Sequence, residues 1–194
     1  MPSLDFFFGL LNSANWIVVD HLRYRVRSEQ NQCRIRTPTG IQVLRVAVKH
    51  PCNKPIYRTM INNYMPWKHF FLKRIKQSYQ ETEFFDLYYD DLRGLIEGPS
   101  VMLETLNMQA IMWVAGLLNK NVNPVYTHFL YDKYPKSKII NHVCEKMHAE
   151  PFQQKYEPEY YPQISEPFEE GLSVLDVLFS VGADDTKKLL THGQ

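Results

Sequence analysis

Helical periodicity dominates the middle of the chain, and short β-like runs precede it. Trp67, Phe70, Phe71, Ile75 and Ser78 recur at three- and four-residue spacing after Pro66, the pattern of an amphipathic helix entered through a proline. Lys68, Lys73 and Lys76 fall off that stripe. Phe85, Tyr88, Leu92, Leu95 and Ile96 predict a second helix ending at Gly98-Pro99, and Ser100 is placed to cap a third with Leu103, Leu106, Ala110, Trp113, Val114 and Leu117 inward. Phe6 to Asn12 reads as a short helix. The β-branched run Trp16 to Val19 ends at Asp20 and suits a buried strand. Gln32–Thr37 and Ile41–Val48, joined by Pro38-Thr39-Gly40, predict a hairpin. The apolar phase shifts between Val43 and Leu44, which calls for a bulge or for burial on both faces.

Val125–Leu130 predicts a further strand and Ser137–Met147 a short helix. The four prolines between Glu150 and Pro167 predict an extended loop. The last helix has the fullest local grammar. Ser173 is its N-cap, Asp176 its capping-box partner, Leu172 staples to Val177, and Gly182 stops it. Asp184 or Asp185 then caps a terminal helix. The fold class predicted is mixed α/β, a small central sheet with a β-hairpin packed by several helices, in a single domain over 1–194.

Composition excludes several classes. With 44% hydrophobic and 22% charged residues, the chain is an ordinary globular sequence, neither disordered nor low-complexity. Its formal net charge of +1 gives no global field for nucleic acid or an anionic membrane. No apolar run approaches the roughly 18 residues of a membrane span. Three scattered cysteines (Cys33, Cys52 and Cys144) point to a reducing, cytoplasmic setting.

The charge is nevertheless uneven. From Asp20 to Arg36 the chain is net +3, and from Glu150 to Glu170 net −5. No nucleotide-loop, zincin or nucleophile-elbow signature is present, so no cofactor is predicted. Arg23, Arg25 and Arg27, if extended, project from one face and suit a phosphate, diphosphate or carboxylate; a solvated edge strand is the competing reading. Asp20, at a strand end, suits a base or orienting carboxylate, or a cap. Asn31 and Arg34 beside the hairpin suit substrate orientation. Cys33 is a nucleophile only if a histidine such as His21, His50 or His69 reaches it. His142, Cys144 and His148 do not complete a tetrahedral set, and no metal is predicted. Asp90 and Asp91 read as a solvated helix face.

Four motifs in order resemble the WbqC-like protein family, in its shorter form. Leu172 to Gly182 is similar to the family's closing LSxxDxLFNxG, and Tyr161-Pro162-Gln163 precedes it as a YxQ element. Asp20 with Tyr24, then Asn31 to Ile35, resemble DDxQY followed by NRxRI. Trp67, Ile75, Tyr79 and Phe84-Phe85 fit its W…H…I…Y…PFF helix. The chain departs from these motifs at His21, Arg23, Phe71 and Ser180, with His69 two residues from the family's helix histidine. By this resemblance, the family's first strand is expected to be missing or shortened.

The resemblance implies a cytoplasmic bacterial protein of surface-polysaccharide or O-antigen biosynthesis. It implies an acyl- or aminoacyl-transferase acting on a nucleotide-linked amino sugar, whose partner is an anionic nucleotide-sugar or acyl carrier. Asp20, Asn31 and His69 are then the catalytic candidates. Arg23, Arg25, Arg27, Arg34, Gln163 and Asp176 are those for substrate. The alternative is a non-catalytic interaction or scaffold protein of the same descent, with Tyr156, Tyr160 and Tyr161 as its surface.

Overall fold

The computed structural model describes residues 1–49, 54–129 and 171–191. Helix α1 (Leu4–Leu11) starts earlier than its apolar run suggests, because the Ser3 hydroxyl accepts from the Phe6 amide and caps it. Strand β1 (Trp16–Val18) follows, then β2 (Gln32–Thr37) and β3 (Gly40–Arg45). Three helices make up the middle: α2 (Trp67–Tyr79), α3 (Phe85–Glu97) and α4 (Leu103–Leu117). Strand β4 (Pro124–Tyr126) and helix α5 (Val174–Thr191) complete the described elements. The fold is mixed α/β. Its strands form two separate pairs, an antiparallel β2-β3 hairpin and a parallel β1-β4 pair with Trp16 opposite Pro124 and Val18 opposite Tyr126.

Several expectations change in detail. The hairpin turn is the two residues Pro38-Thr39, since Gly40 already pairs with Thr37. The register runs without a bulge through Arg34–Val43 and Cys33–Leu44, so partial cover on both faces accounts for the phase shift. Phe70 points to solvent, and Leu72 and Tyr79 join Trp67, Phe71 and Ile75 inside. Ser100 does not cap α4; its hydroxyl bonds Gln109, and the helix begins after Met102. Strand β1 is open on one face, with Ile17 exposed beside the exposed Val125 of β4. The predicted helix 137–147 and the proline-rich loop lie outside the described residues.

Helix α5 organises the core. Its first half is buried on every side, which a helix in a small protein achieves only between two apolar layers. Leu175, Leu178 and Phe179 face β2, β3, α2 and α3, while Val174 and Val177 face α1 and α4. At Gly182 the backbone takes φ +78 and breaks the helix, and the Tyr88 hydroxyl accepts the next amide, that of Ala183. A Cβ there would stand 2.8 Å from the Phe84 ring.

Gly182→Ala therefore combines a forbidden backbone conformation with a ring clash and should cost about 2 kcal/mol or more in urea unfolding. Gly116→Ala, with nothing within 4 Å of the new methyl group, should be neutral or stabilise by up to about 1 kcal/mol.

Candidate functional site

Two buried aspartates anchor the molecule in different ways. Asp176 is wholly buried at the start of α5. The Tyr79 hydroxyl of α2 donates to its Oδ1 at 2.9 Å and in turn accepts the Arg36 amide of β2, while the Arg36 guanidinium stands 3.6 Å from Oδ2. Burial, then the charge of Asp176, pushes the Tyr79 hydroxyl far up, so it stays a proton donor. The Ser173 amide donates to the Arg34 carbonyl, so Asp176 is no capping-box partner. Asp176 is a knot between α5, α2 and β2.

Asp20 sits just past the carboxyl end of β1, and Thr127 and His128 just past that of β4. Two parallel neighbouring strands thus deliver their following residues to one place, where ligands gather in open parallel sheets. The main chain holds this point firmly. Asp20 accepts the Tyr57 amide through its carbonyl, and the Thr59 carbonyl accepts the Leu103 amide, which brings the first turn of α4 and its Glu104 alongside.

The Asp20 carboxylate is buried, and its Oδ1 accepts the Thr127 hydroxyl at 3.1 Å and the His128 amide at 2.9 Å. Its Oδ2 pairs with Nδ1 of His128. The His128 ring stacks on Tyr57, with centroids 4.9 Å apart, and its side chain keeps 18% of its surface open. Burial, and then the charge of Asp20, raise the Glu104 carboxyl to about 7. His21 bonds the Thr127 hydroxyl through Nδ1 at 2.6 Å, and burial lowers its pKa. Donor atoms of Asp20, Glu104 and His128 lie within 4.8 Å of one another, the one such trio of His, Cys, Asp or Glu among the described residues. A buried carboxylate that holds one imidazole nitrogen orients the ring, and a second carboxyl alongside stores or yields a proton.

The arginine segment is not an extended strand. The Ser28 hydroxyl donates to the Arg25 carbonyl and closes a turn in which Arg27 takes φ +60. Arg23 and Arg25 line an open groove of about 850 Å³ with Leu22, Ser28, Glu29 and Gln30, and this groove begins two residues beyond Asp20. Arg27 is no part of that lining, and Arg34 lies along Gly171 on the hairpin.

The sequence profile of the WbqC-like protein family matches residues 1–155 and 150–188. The chain belongs to that family. Comparisons with curated proteins and with solved structures found no match.

Within this WbqC-like chain the motif residues serve different ends. Asp20 reaches the cluster. Asn31 is buried and gives its side-chain amide to the Val46 carbonyl at 3.1 Å, closing the base of the hairpin. His69 stands exposed on α2, on a groove shared with α3 and lined by Lys68, Lys73, Lys76 and Arg93, and Asp20 is no part of that lining. Cys33 is buried, and burial pushes its thiol up, the reverse of an activated nucleophile. Gln163, Tyr161, His142, Cys144, His148 and the tyrosines of the acidic stretch lie outside the described residues.

Sequence reading missed Glu104 and His128. His128 had a signal, since it follows an apolar run as Asp20 does; Glu104 had none. No helix among the described residues is long and apolar enough to cross a membrane.

Asp176→Ala leaves the Arg36 guanidinium and the Tyr79 hydroxyl without their buried acceptor and should cost about 3–5 kcal/mol in urea unfolding. In a Cys52→Ser, Cys144→Ser background, Cys33 should resist a thiol reagent in native buffer and react at once when unfolded.

Proposed function

We propose that this WbqC-like chain is a transferase of bacterial surface-polysaccharide assembly, moving an acyl or aminoacyl group onto the amine of a nucleotide-linked sugar. One observation carries this reading: a buried carboxylate joined to a partly open imidazole, in a chain whose next residues, from Leu22 on, line a groove bearing two arginines. Family membership supports the setting, and the site supports the class of chemistry.

The arginines suit the diphosphate of the carrier, since a guanidinium offers paired donors to phosphate oxygens and keeps its charge at all working pH values. The acceptor nitrogen would attack the acyl carbonyl. A C–N bond forms, the bond to the acyl carrier breaks, the nitrogen sheds a proton at the cluster, and the departing thiol or hydroxyl takes one up. His128 and Glu104 both keep open surface while Asp20 is buried, and His128 is the member assigned to meet the substrate. Asp20 acts through His128 and Thr127 and is a positioning residue.

A nucleoside diphosphate amino sugar should raise the melting temperature of the full chain, as any ligand of the native state does well above its dissociation constant. Arg25→Ala should remove most of that shift. His128→Ala should keep the shift and lower transfer from acyl-coenzyme A by about 100-fold or more. A cooperative melt unmoved by any nucleotide sugar or acyl carrier would overturn the reading.

A further inference from the structure

The geometry points to a divalent metal site at Asp20, Glu104 and His128, taking a first-row cation such as Mn²⁺, Fe²⁺ or Zn²⁺ with coordination positions left open for substrate. The proposal shares its location with the transferase reading and needs no part of that reaction. Its residues come from three separate places in the chain: the turn after β1, the first turn of α4 and the end of β4. That separation explains why no metal-ligand spacing appears in the sequence.

The donor set is chemically coherent. Two carboxylates and one imidazole, without a thiolate, suit Mn²⁺, Fe²⁺ or Zn²⁺ better than a soft cation. Such ions hold their ligands at about 2.0–2.2 Å, so donors already within 4.8 Å of one another need only small side-chain rotations to close on one ion. Three protein ligands leave a vacant face, the arrangement of catalytic rather than structural sites. His128 keeps 18% of its side-chain surface open.

Outer contacts already aim the ligands. Asp20 Oδ1 is taken by the Thr127 hydroxyl and the His128 amide, which turns Oδ2 toward the imidazole. His21 steadies Thr127 in turn, and the Tyr57 ring fixes the plane of His128. Hydrogen bonds of this kind orient ligands in established metal sites.

The test uses the full, untagged chain after treatment with a chelator. Titration with Mn²⁺ or Co²⁺ in the absence of substrate should show one saturable equivalent and a raised melting temperature. The Mn²⁺ complex should show nitrogen hyperfine coupling from one imidazole, a readout that needs no variant. Glu104→Gln and His128→Gln, each first shown to melt cooperatively, should weaken binding by about 100-fold, and His128→Gln should also erase the nitrogen coupling.

Failure of Mn²⁺, Co²⁺ and Zn²⁺ to bind stoichiometrically would overturn the proposal. So would an equivalent that survives in both variants, which would locate the ion at other residues. Binding without transfer counts against the transferase reading alone, and transfer by a chain that takes up no stoichiometric cation counts against the cation alone.

Discussion

The Asp176 carboxylate has no access to water, and the rest of the molecule is arranged around satisfying it. An isolated carboxylate in an apolar interior is too costly to keep charged, so α5 packs between two layers only where a hydroxyl and a guanidinium meet it. Tyr79 and Arg36 supply those groups, and in doing so fix the rotation of α2 and the distance of the β2-β3 hairpin from α5. The apolar residues on either side of Asp176 then fill two cores with one helix. Gly182 ends the buried stretch just where Phe84 of the α2-α3 turn presses against the backbone.

Asp20 meets the same requirement with a different outcome. It is as buried as Asp176, but its partners are the ends of two strands and a ring with one edge in the open. Both are reached by a partner that keeps a little open surface, the Arg36 side chain at 14% and that of His128 at 18%. Burial by itself therefore assigns neither carboxylate a role. What differs is the company: Asp20 has an imidazole and a second carboxyl group within reach, and Asp176 a hydroxyl and a guanidinium.

Much of the fold was legible because it is written in local patterns. Periodicity located α2, α3 and α4, the Pro38 to Gly40 stretch located the hairpin, and Ser173 and Gly182 bracketed the first half of α5. Errors gathered where tertiary contacts choose among locally equal options. Ser100 and Met102 compete to begin α4, and the bond from Ser100 to Gln109 decides it. Asp176 fits a capping box by spacing, yet Ser173 gives its amide to Arg34 across the chain. The site was less legible still. Asp20 was visible at its strand end, but Glu104 reaches it only because Leu103 bonds Thr59, a pairing that no local signal in the sequence announces. The arginine row failed for a related reason: alternate spacing aligns side chains only in extended chain, and Ser28 bends this one.

The departure from the family motif at His21 reads differently once hydrogen bonds are counted. The Thr127 hydroxyl has one proton to give, and both Asp20 Oδ1 and the Val18 carbonyl accept only. With that proton committed, Nδ1 of His21 is placed to donate to Thr127, and burial disfavours the charged ring. An ionised aspartate at this position has no proton to offer. It would draw the Thr127 hydroxyl to itself, freeing Asp20 Oδ1 and adding a negative charge beside two carboxyl groups. His21 instead sends the chain of bonds inward, from its own ring through Thr127 to Asp20, and lowers the charge of the cluster by one. A histidine here is therefore compatible with the observed orientation of Asp20, while the electrostatic setting of that carboxylate differs from the one an aspartate would give.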